Sequence, residues 1–273
     1  MRHRFVFLLV CLPLCVVLVP NNSPVAMSVP QPSPEPPRVV EHGGALPDTA
    51  EMDRLAVTDA VAFLDACLRH QVRNIRGYSG VLCKTERIRG KLQPREVIDF
   101  WFSESPYRVL MKWREGSRGA KASLYVEGAN ENRIAILTRL NVVLDLDPDG
   151  RLVQDGGRYN IREFSMRQGT ERTLRAWSAA QERGILRVEY LGRRTVPEAD
   201  GRSCYVLRRT CDPPEEEGVV TVKVVIDAEH WLQVGSELID GNGNLIGSYY
   251  FTGLSINPEF AADQFDRSAL RKR

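Results

Sequence analysis

Residues 224–265 read VVIDAEHWLQVGSELIDGNGNLIGSYYFTGLSINPEFAADQF. A β-branched run, a short break at Ala228 to His230 and a second apolar run lead into a turn of Asp, Gly and Asn. An aromatic strand through Tyr249, Tyr250 and Phe251 follows, and then a closing loop. Asp-Gly-Asn-Gly between alternating segments is hairpin chemistry, because Gly and Asn tolerate the backbone angles a tight turn needs. The stretch carries no catalytic signature. It predicts the end of a curved antiparallel sheet.

Upstream, the same period of two recurs. Residues 185–191 and 202–209 alternate apolar and polar side chains, and residues 219–226 are strongly β-branched. Glu215, Glu216 and Glu217 fit a charged hairpin loop. Earlier strands are predicted at residues 78–88, 96–102, 107–113, 122–126 and 133–137, with a weaker one at 142–146. Residues 90–94 read as a connection. Two stretches have helical periodicity instead. Leu55, Phe63, Leu64, Leu68, Val72 and Ile75 share one face of a helix from Asp48 or Thr49 to about Asn74, stopped by Gly77. A second helical block lies within residues 161–183, with Thr170 as its cap, Leu174 and Trp177 on one face, and Gly184 as its stop. Ten or eleven short strands interrupted once by a helix predict one α+β domain. Its single large antiparallel sheet should curl, with helices covering the concave side.

The chain begins Met-Arg-His-Arg, and residues 5–19 are apolar apart from Pro13. A basic start and a short apolar core are the pattern of a secretory signal peptide, and the run is shorter than the roughly 20 residues of a membrane span. Ala26 and Ser28 place cleavage after Ser28; an uncleaved N-terminal anchor is the alternative. Cys11 and Cys15 follow Val10 and Leu14, not the small residue that lipid attachment requires. Pro recurs at 20, 24, 30, 32, 34, 36, 37 and 47, which favours an extended tether over a packed core. The expected organisation is a leader or anchor over residues 1–28, a Pro-rich linker over 29–48 and one domain over 49–270. Such a chain is exported, to the periplasm or cell envelope.

The formal charge of +2 includes Arg2 and Arg4, so the rest of the chain has equal numbers of acidic and basic residues. That balance excludes nucleic acid as the main partner, since phosphate binding needs a basic surface. Beyond the leader, Cys67, Cys83, Cys204 and Cys211 permit three pairings, and none has the two-residue spacing of a zinc or redox motif. His42, His70 and His230 are scattered, and nucleophile, phosphate-loop and dinucleotide motifs are missing. The run Asp145-Leu-Asp-Pro-Asp-Gly has Gly156 where a calcium loop needs Glu, so it reads as a turn. These observations predict a protein that is not an enzyme and uses no metal or cofactor.

The notable chemistry is apolar. Ile98, Phe100 and Phe102 share one strand face, while Val97 and Trp101 share the other. Tyr107, Val109, Met111 and Trp113 align on the next strand, as do Val220, Val222, Val224 and Ile226, and Leu245, Tyr249 and Phe251. These faces can form a solid core. If the curled sheet leaves an apolar cavity, its lining candidates are Phe100, Phe102, Met111, Trp113, Leu174, Trp177, Val222, Val224, Tyr249 and Phe251.

Several segments together resemble the LolA/LolB-type lipoprotein carriers. They are Gly77-Tyr-Ser-Gly, Phe100-Trp-Phe and Pro106-Tyr-Arg-Val-Leu-Met-Lys-Trp near the start. Val225-Ile-Asp, Trp231-Leu, Tyr250-Phe-Thr, Ile256-Asn-Pro and Asp263-Gln-Phe-Asp extend the match through the tail. The whole chain is similar to a secreted bacterial family, a domain of unknown function related to those carriers, over about residues 52–266. The resemblance implies an unclosed β-barrel whose helices plug an apolar cavity for acyl chains. The implied partner is a lipid or an acylated lipoprotein, with contact to a membrane surface. RseB-like members imply the alternative, an envelope sensor or scaffold that binds another protein.

Overall fold

The structure is a computed structural model and describes residues 45–272; the expected leader and most of the Pro-rich segment lie outside them. Two helices come first, α1 (Thr49–Thr58) and α2 (Ala60–Asn74). The sequence predicts one continuous helix here, and Asp59 divides it. Its backbone leaves the helical region, and its carboxylate caps α2 by accepting from the Ala62 N–H at 2.9 Å. Asp48 caps α1 in the same way.

The strands then follow as β1 (Gly77–Ile88), β2 (Lys91–Leu92), β3 (Glu96–Ser103), β4 (Arg108–Glu115), β5 (Ala120–Val126), β6 (Ile134–Thr138) and β7 (Val143–Leu146). A short α3 (Arg151–Gln154) and a long α4 (Met166–Glu182) interrupt them. The sheet resumes with β8 (Arg187–Val196), β9 (Arg202–Thr210), β10 (Val219–Asp227), β11 (Gln233–Asp240) and β12 (Leu245–Ile256). The short β2 lies where a plain connection is predicted, and extends the β1 hairpin through Arg87 opposite Leu92.

The strands form one antiparallel sheet in the order β7-β6-β5-β4-β3-β1-β12-β11-β10-β9-β8. The β7 and β8 ends do not pair with each other, so the barrel is unclosed. At its centre β1 pairs with β12, from Tyr78 opposite Ile256 to Glu86 opposite Gly247. The last strand in the sequence, β12, is therefore one of the central strands of the sheet.

Alternation gives the sheet two faces with different covers. On one, Tyr205, Leu207, Val224 and Ile226 pack with Met52, Phe63 and Leu64 of α1 and α2 and with Trp177 of α4. On the other, Leu110, Ala122, Leu124 and Leu137 meet Phe265, Ala269 and Leu270 from the segment after β12. Helices thus cover one face of half the sheet, while the C-terminal segment backs the other half. Among the described residues Cys67, Cys83, Cys204 and Cys211 are unpaired: Cys67 lies on the buried face of α2, and burial pushes the Cys204 thiol up to about 12.

Ser165 caps α4, accepting from the Gln168 N–H at 2.9 Å, and Thr170 lies inside the helix with its hydroxyl on the Met166 carbonyl. The sequence reading places the cap at Thr170, and the Ser-x-x-Gln spacing at Ser165 is the signal it missed. Gly184, with φ at 68°, ends the helix as expected. The start of α4 is pinned to the sheet, because the Met166 N–H donates to the Tyr78 hydroxyl at 2.6 Å and Arg167 meets Glu104 at 3.2 Å. Burial pushes the Glu104 carboxyl from 4.5 up to about 7, Arg167 draws it down, and Glu171 adds to the rise. The folded state therefore holds this proton more tightly than the unfolded one. Stability from this group is complete below about pH 4.5 and is lost as pH rises through about 7, a fall of roughly 3 kcal/mol. Glu104→Gln should remove that slope, giving a variant more stable than the parent at about pH 8 and close to it at about pH 4. Urea titrations at both pH values measure the difference; parallel pH profiles would exclude the assignment.

Candidate functional site

Between the helix-covered face and α4 lies a cavity of about 480 Å³. Its wall draws side chains from β9 across to β6, so the sheet curls around it. The floor is apolar: Leu82, Ile98, Met111, Trp113, Ile134, Ile136, Val222, Leu238, Tyr249 and Phe251. Ala176 and Trp177 of α4 form part of the roof, together with Phe164 just before that helix.

Six of the ten predicted residues reach this wall: Met111, Trp113, Trp177, Val222, Tyr249 and Phe251. The other four do not line it. Phe100 and Phe102 are wholly buried in an aromatic cluster with Tyr78, Tyr107 and Phe164, which fills the end of the half-barrel. Val224 and Leu174 belong to the core under α1 and α2. Phe164 escapes a reading by strand faces because it lies in the connection before α4. Its edge-on contacts with Phe100, 5.4 Å between ring centres, place it between the core and the cavity.

The strand register also brings charged side chains to the cavity, a feature the sequence reading missed. Alternation continues from Tyr78 and Leu82 to Lys84 and Glu86, so the face that begins apolar ends charged. Lys84 Nζ lies 2.8 Å from Glu86 and 3.1 Å from Glu96 on the neighbouring β3. The Tyr249 hydroxyl donates to Glu86 at 2.8 Å, and Arg118 approaches Glu96 at 3.7 Å. Burial pushes the Glu86 carboxyl up, yet Lys84, the Tyr249 hydroxyl and the Arg158 N–H together hold it below the usual carboxylate range. Burial and the adjacent Glu86 push the Tyr249 hydroxyl far upward, so it stays a hydrogen-bond donor. On β9, Arg209 is only 2% exposed and pairs with Glu215 at 2.5 Å.

Residues 151–160 cross the cavity as a strap. Leu152, Val153, Gly156, Gly157, Tyr159 and Asn160 all line it. Polar contacts hold the strap down: Arg89 to Asp155, Arg118 to the Gly156 carbonyl, and Arg158 to Glu217. Leu152 is 77% exposed although it also faces the cavity, and Leu140 on the β6–β7 turn is 86% exposed.

The arrangement offers burial and hydrogen bonding; Glu86, Glu96 and Glu215 are engaged in ion pairs. The Asp147–Gly150 region is a turn, with the Asp147 carboxylate accepting from the Asp149 N–H, and Asp145 is taken by both arms of Arg267 at 2.6 and 2.8 Å. Asp227, Glu229 and His230 converge at the β10–β11 break, where Asp227 already accepts from the His230 N–H and faces Arg202. Among the described residues, no helix is long and apolar enough to cross a membrane.

Comparison with solved structures returns folds of related shape at low identity. The MucA/MucB complex of Pseudomonas aeruginosa aligns at 18% identity and a TM-score of 0.46, over 78% of this chain and 62% of that one. This chain thus spans under two thirds of the length of that solved chain. The Mycobacterium tuberculosis lipoprotein LppX aligns at 12% identity and a TM-score of 0.43, over 76% of this chain and 100% of that one. A LolA superfamily protein from Nitrosomonas europaea aligns at 10% identity and a TM-score of 0.32, over 76% and 98%. Each is a likeness of architecture alone. No curated protein matches the chain. Residues 75–270, from the end of α2 through the segment behind the sheet, match the family described as "Protein of unknown function (DUF1571)", and the chain belongs to that family.

Proposed function

We propose that this chain is an exported binding protein, not an enzyme, that holds a lipid or the acyl chain of a lipoprotein in its half-barrel cavity. One observation carries the reading: a cavity of about 480 Å³ with an apolar floor drawn from one continuous sheet. That volume lies in the range of roughly 300–1,000 Å³ for ligand pockets, whose walls are mostly apolar with a few polar groups. The driving force would be burial. At about 0.8 kcal/mol for each methylene removed from water, ten methylenes contribute roughly 8 kcal/mol before the cost of association. Leu152, exposed and at the cavity wall, favours a mouth that meets an apolar surface such as a bilayer.

Mass spectrometry of organic extracts from the protein purified out of cell envelopes should find lipid at near-stoichiometric amounts. Protein that carries no lipid, and that also fails to take up an added acyl chain, would sink the carrier reading. An envelope sensor that binds another protein would then be the better account.

A further inference from the structure

Arg209 is the least satisfied charged group at the cavity. Its side chain is 3% exposed and lines the cavity, and its one ion pair, at 2.5 Å, uses Nη2 on Glu215. Nε and Nη1 are buried and have no hydrogen-bond partner among the described residues. The flanking residues in register are Val188 on β8 and Val222 on β10, and neither side chain has an acceptor. Ala176 of α4 lines the cavity and borders a second cleft together with Arg209, so the roof beside the guanidinium is apolar there. A buried donor without an acceptor is costly, so this guanidinium is prepared for an oxygen that arrives from the cavity.

The charge balance restricts what that oxygen belongs to. Lys84 is matched by Glu86 and Glu96, Arg118 by Glu96, and Arg209 by Glu215. Arg172 and Glu163 add one lining charge of each sign, so cationic and anionic side chains around the cavity are equal in number. An ionised head group would compete with Glu215 for Arg209 and would leave the otherwise balanced lining with a net negative charge. Burying such a charge is expensive. A carbonyl oxygen supplies acceptor lone pairs and adds no charge.

We propose that the cavity's ligand is an uncharged acyl ester or acyl amide whose carbonyl oxygen is received by Arg209. The proposal rests on the acyl-binding reading above and adds the chemistry of the head. An acyl chain joined to glycerol or to an amine fits; a free fatty acid does not. The chain lies along the floor from Val222 toward Met111, and the carbonyl sits at the β9 side beneath α4.

The test titrates the delipidated full chain with 1-lauroylglycerol, lauramide and laurate, each below its aggregation concentration, at about pH 8 where the acid is ionised. The ester and the amide should bind at least about tenfold more tightly than laurate, the scale of a hydrogen bond to a charged group. Arg209→Met should reduce that ratio to near one. Arg209→Lys keeps the charge and loses the forked donors, so it should also narrow the ratio. Circular dichroism and thermal unfolding establish that each variant is folded, and the comparison on the parent chain stands without them. Laurate binding as tightly as the ester, or an ester preference that survives both substitutions, would overturn the proposal and leave acyl binding intact. If none of the three ligands binds, the acyl reading falls with it.

Discussion

Lys84→Met is expected to lower the unfolding free energy by about 3–5 kcal/mol at neutral pH, although it removes one side chain and adds apolar volume. The side chains of Glu86 and Glu96 are only 4% and 7% exposed, and Lys84 lies within 3.1 Å of both. Glu86 is then left without a cation and Glu96 with only Arg118 at 3.7 Å, so the two buried carboxylates carry their desolvation cost with much less compensation. In the variant the Glu86 carboxyl loses the cation that offsets its burial and should titrate higher than in the parent. A folded pKa that is raised gives stability present at low pH and lost as pH rises. The deficit relative to the parent should therefore be largest near neutrality and small below the ordinary glutamate range, near pH 4. Urea denaturation at those two pH values measures it. A loss under 1 kcal/mol at neutral pH would mean that the cluster is effectively solvated. Adding Glu86→Gln and Glu96→Gln should recover part of the loss, because amides are cheaper to bury than unpaired carboxylates.

Trp177→Ala should cost a comparable amount, about 3–5 kcal/mol, for a different reason. Trp177 is 1% exposed and joins α4 to Met52, Phe63 and Leu64 of the first two helices and to Tyr205 and Val224 of the sheet. It also forms part of the cavity roof. Its removal deletes the contact that ties three helices to one face and enlarges the space beneath them. Neighbouring groups cannot collapse into that space, because the strands below it are held in register. On the acyl-binding reading, a longer acyl chain should restore part of the lost stability by filling the enlarged cavity. Thermal unfolding with and without a series of chain lengths would show this. A variant of unchanged stability would remove Trp177 from any role in holding the roof.

The strands were legible because alternation and turn chemistry act within a few residues. Asp240 and Gly241 mark a hairpin wherever they fall, and residues 96–102 alternate without outside help. The break at Asp59 was hidden because helical periodicity runs through it. Only the capping bond to Ala62 declares a second start. The charged part of the cavity was hidden for a tertiary reason. Lys84, Glu96 and Arg118 come from β1, β3 and the loop before β5, and each looks like an ordinary exposed residue in its own segment. The burial of Lys84 and Glu96 depends on the register between strands and on the strap that crosses above them. Phe100 and Phe102 were read as wall because they share a face with Met111's strand. Phe164, supplied from a loop, buries them one layer behind it.

The pairing of β1 with β12 also bears on how the protein acquires its structure. The two neighbours at the centre of the sheet, Tyr78 and Ile256 among them, come from opposite ends of the described chain. Until residues 245–256 are available, β1 presents an open edge, and so does β11 on the other half. Neither half-sheet can finish the cavity alone. Contacts so distant in sequence require a long loop to close before they return any stabilisation, which places folding in the slow regime of high-contact-order β proteins. A chain that stays open until its last long strand arrives is poorly suited to folding piece by piece during synthesis. It is also exposed, during that interval, to edge-to-edge association with other copies.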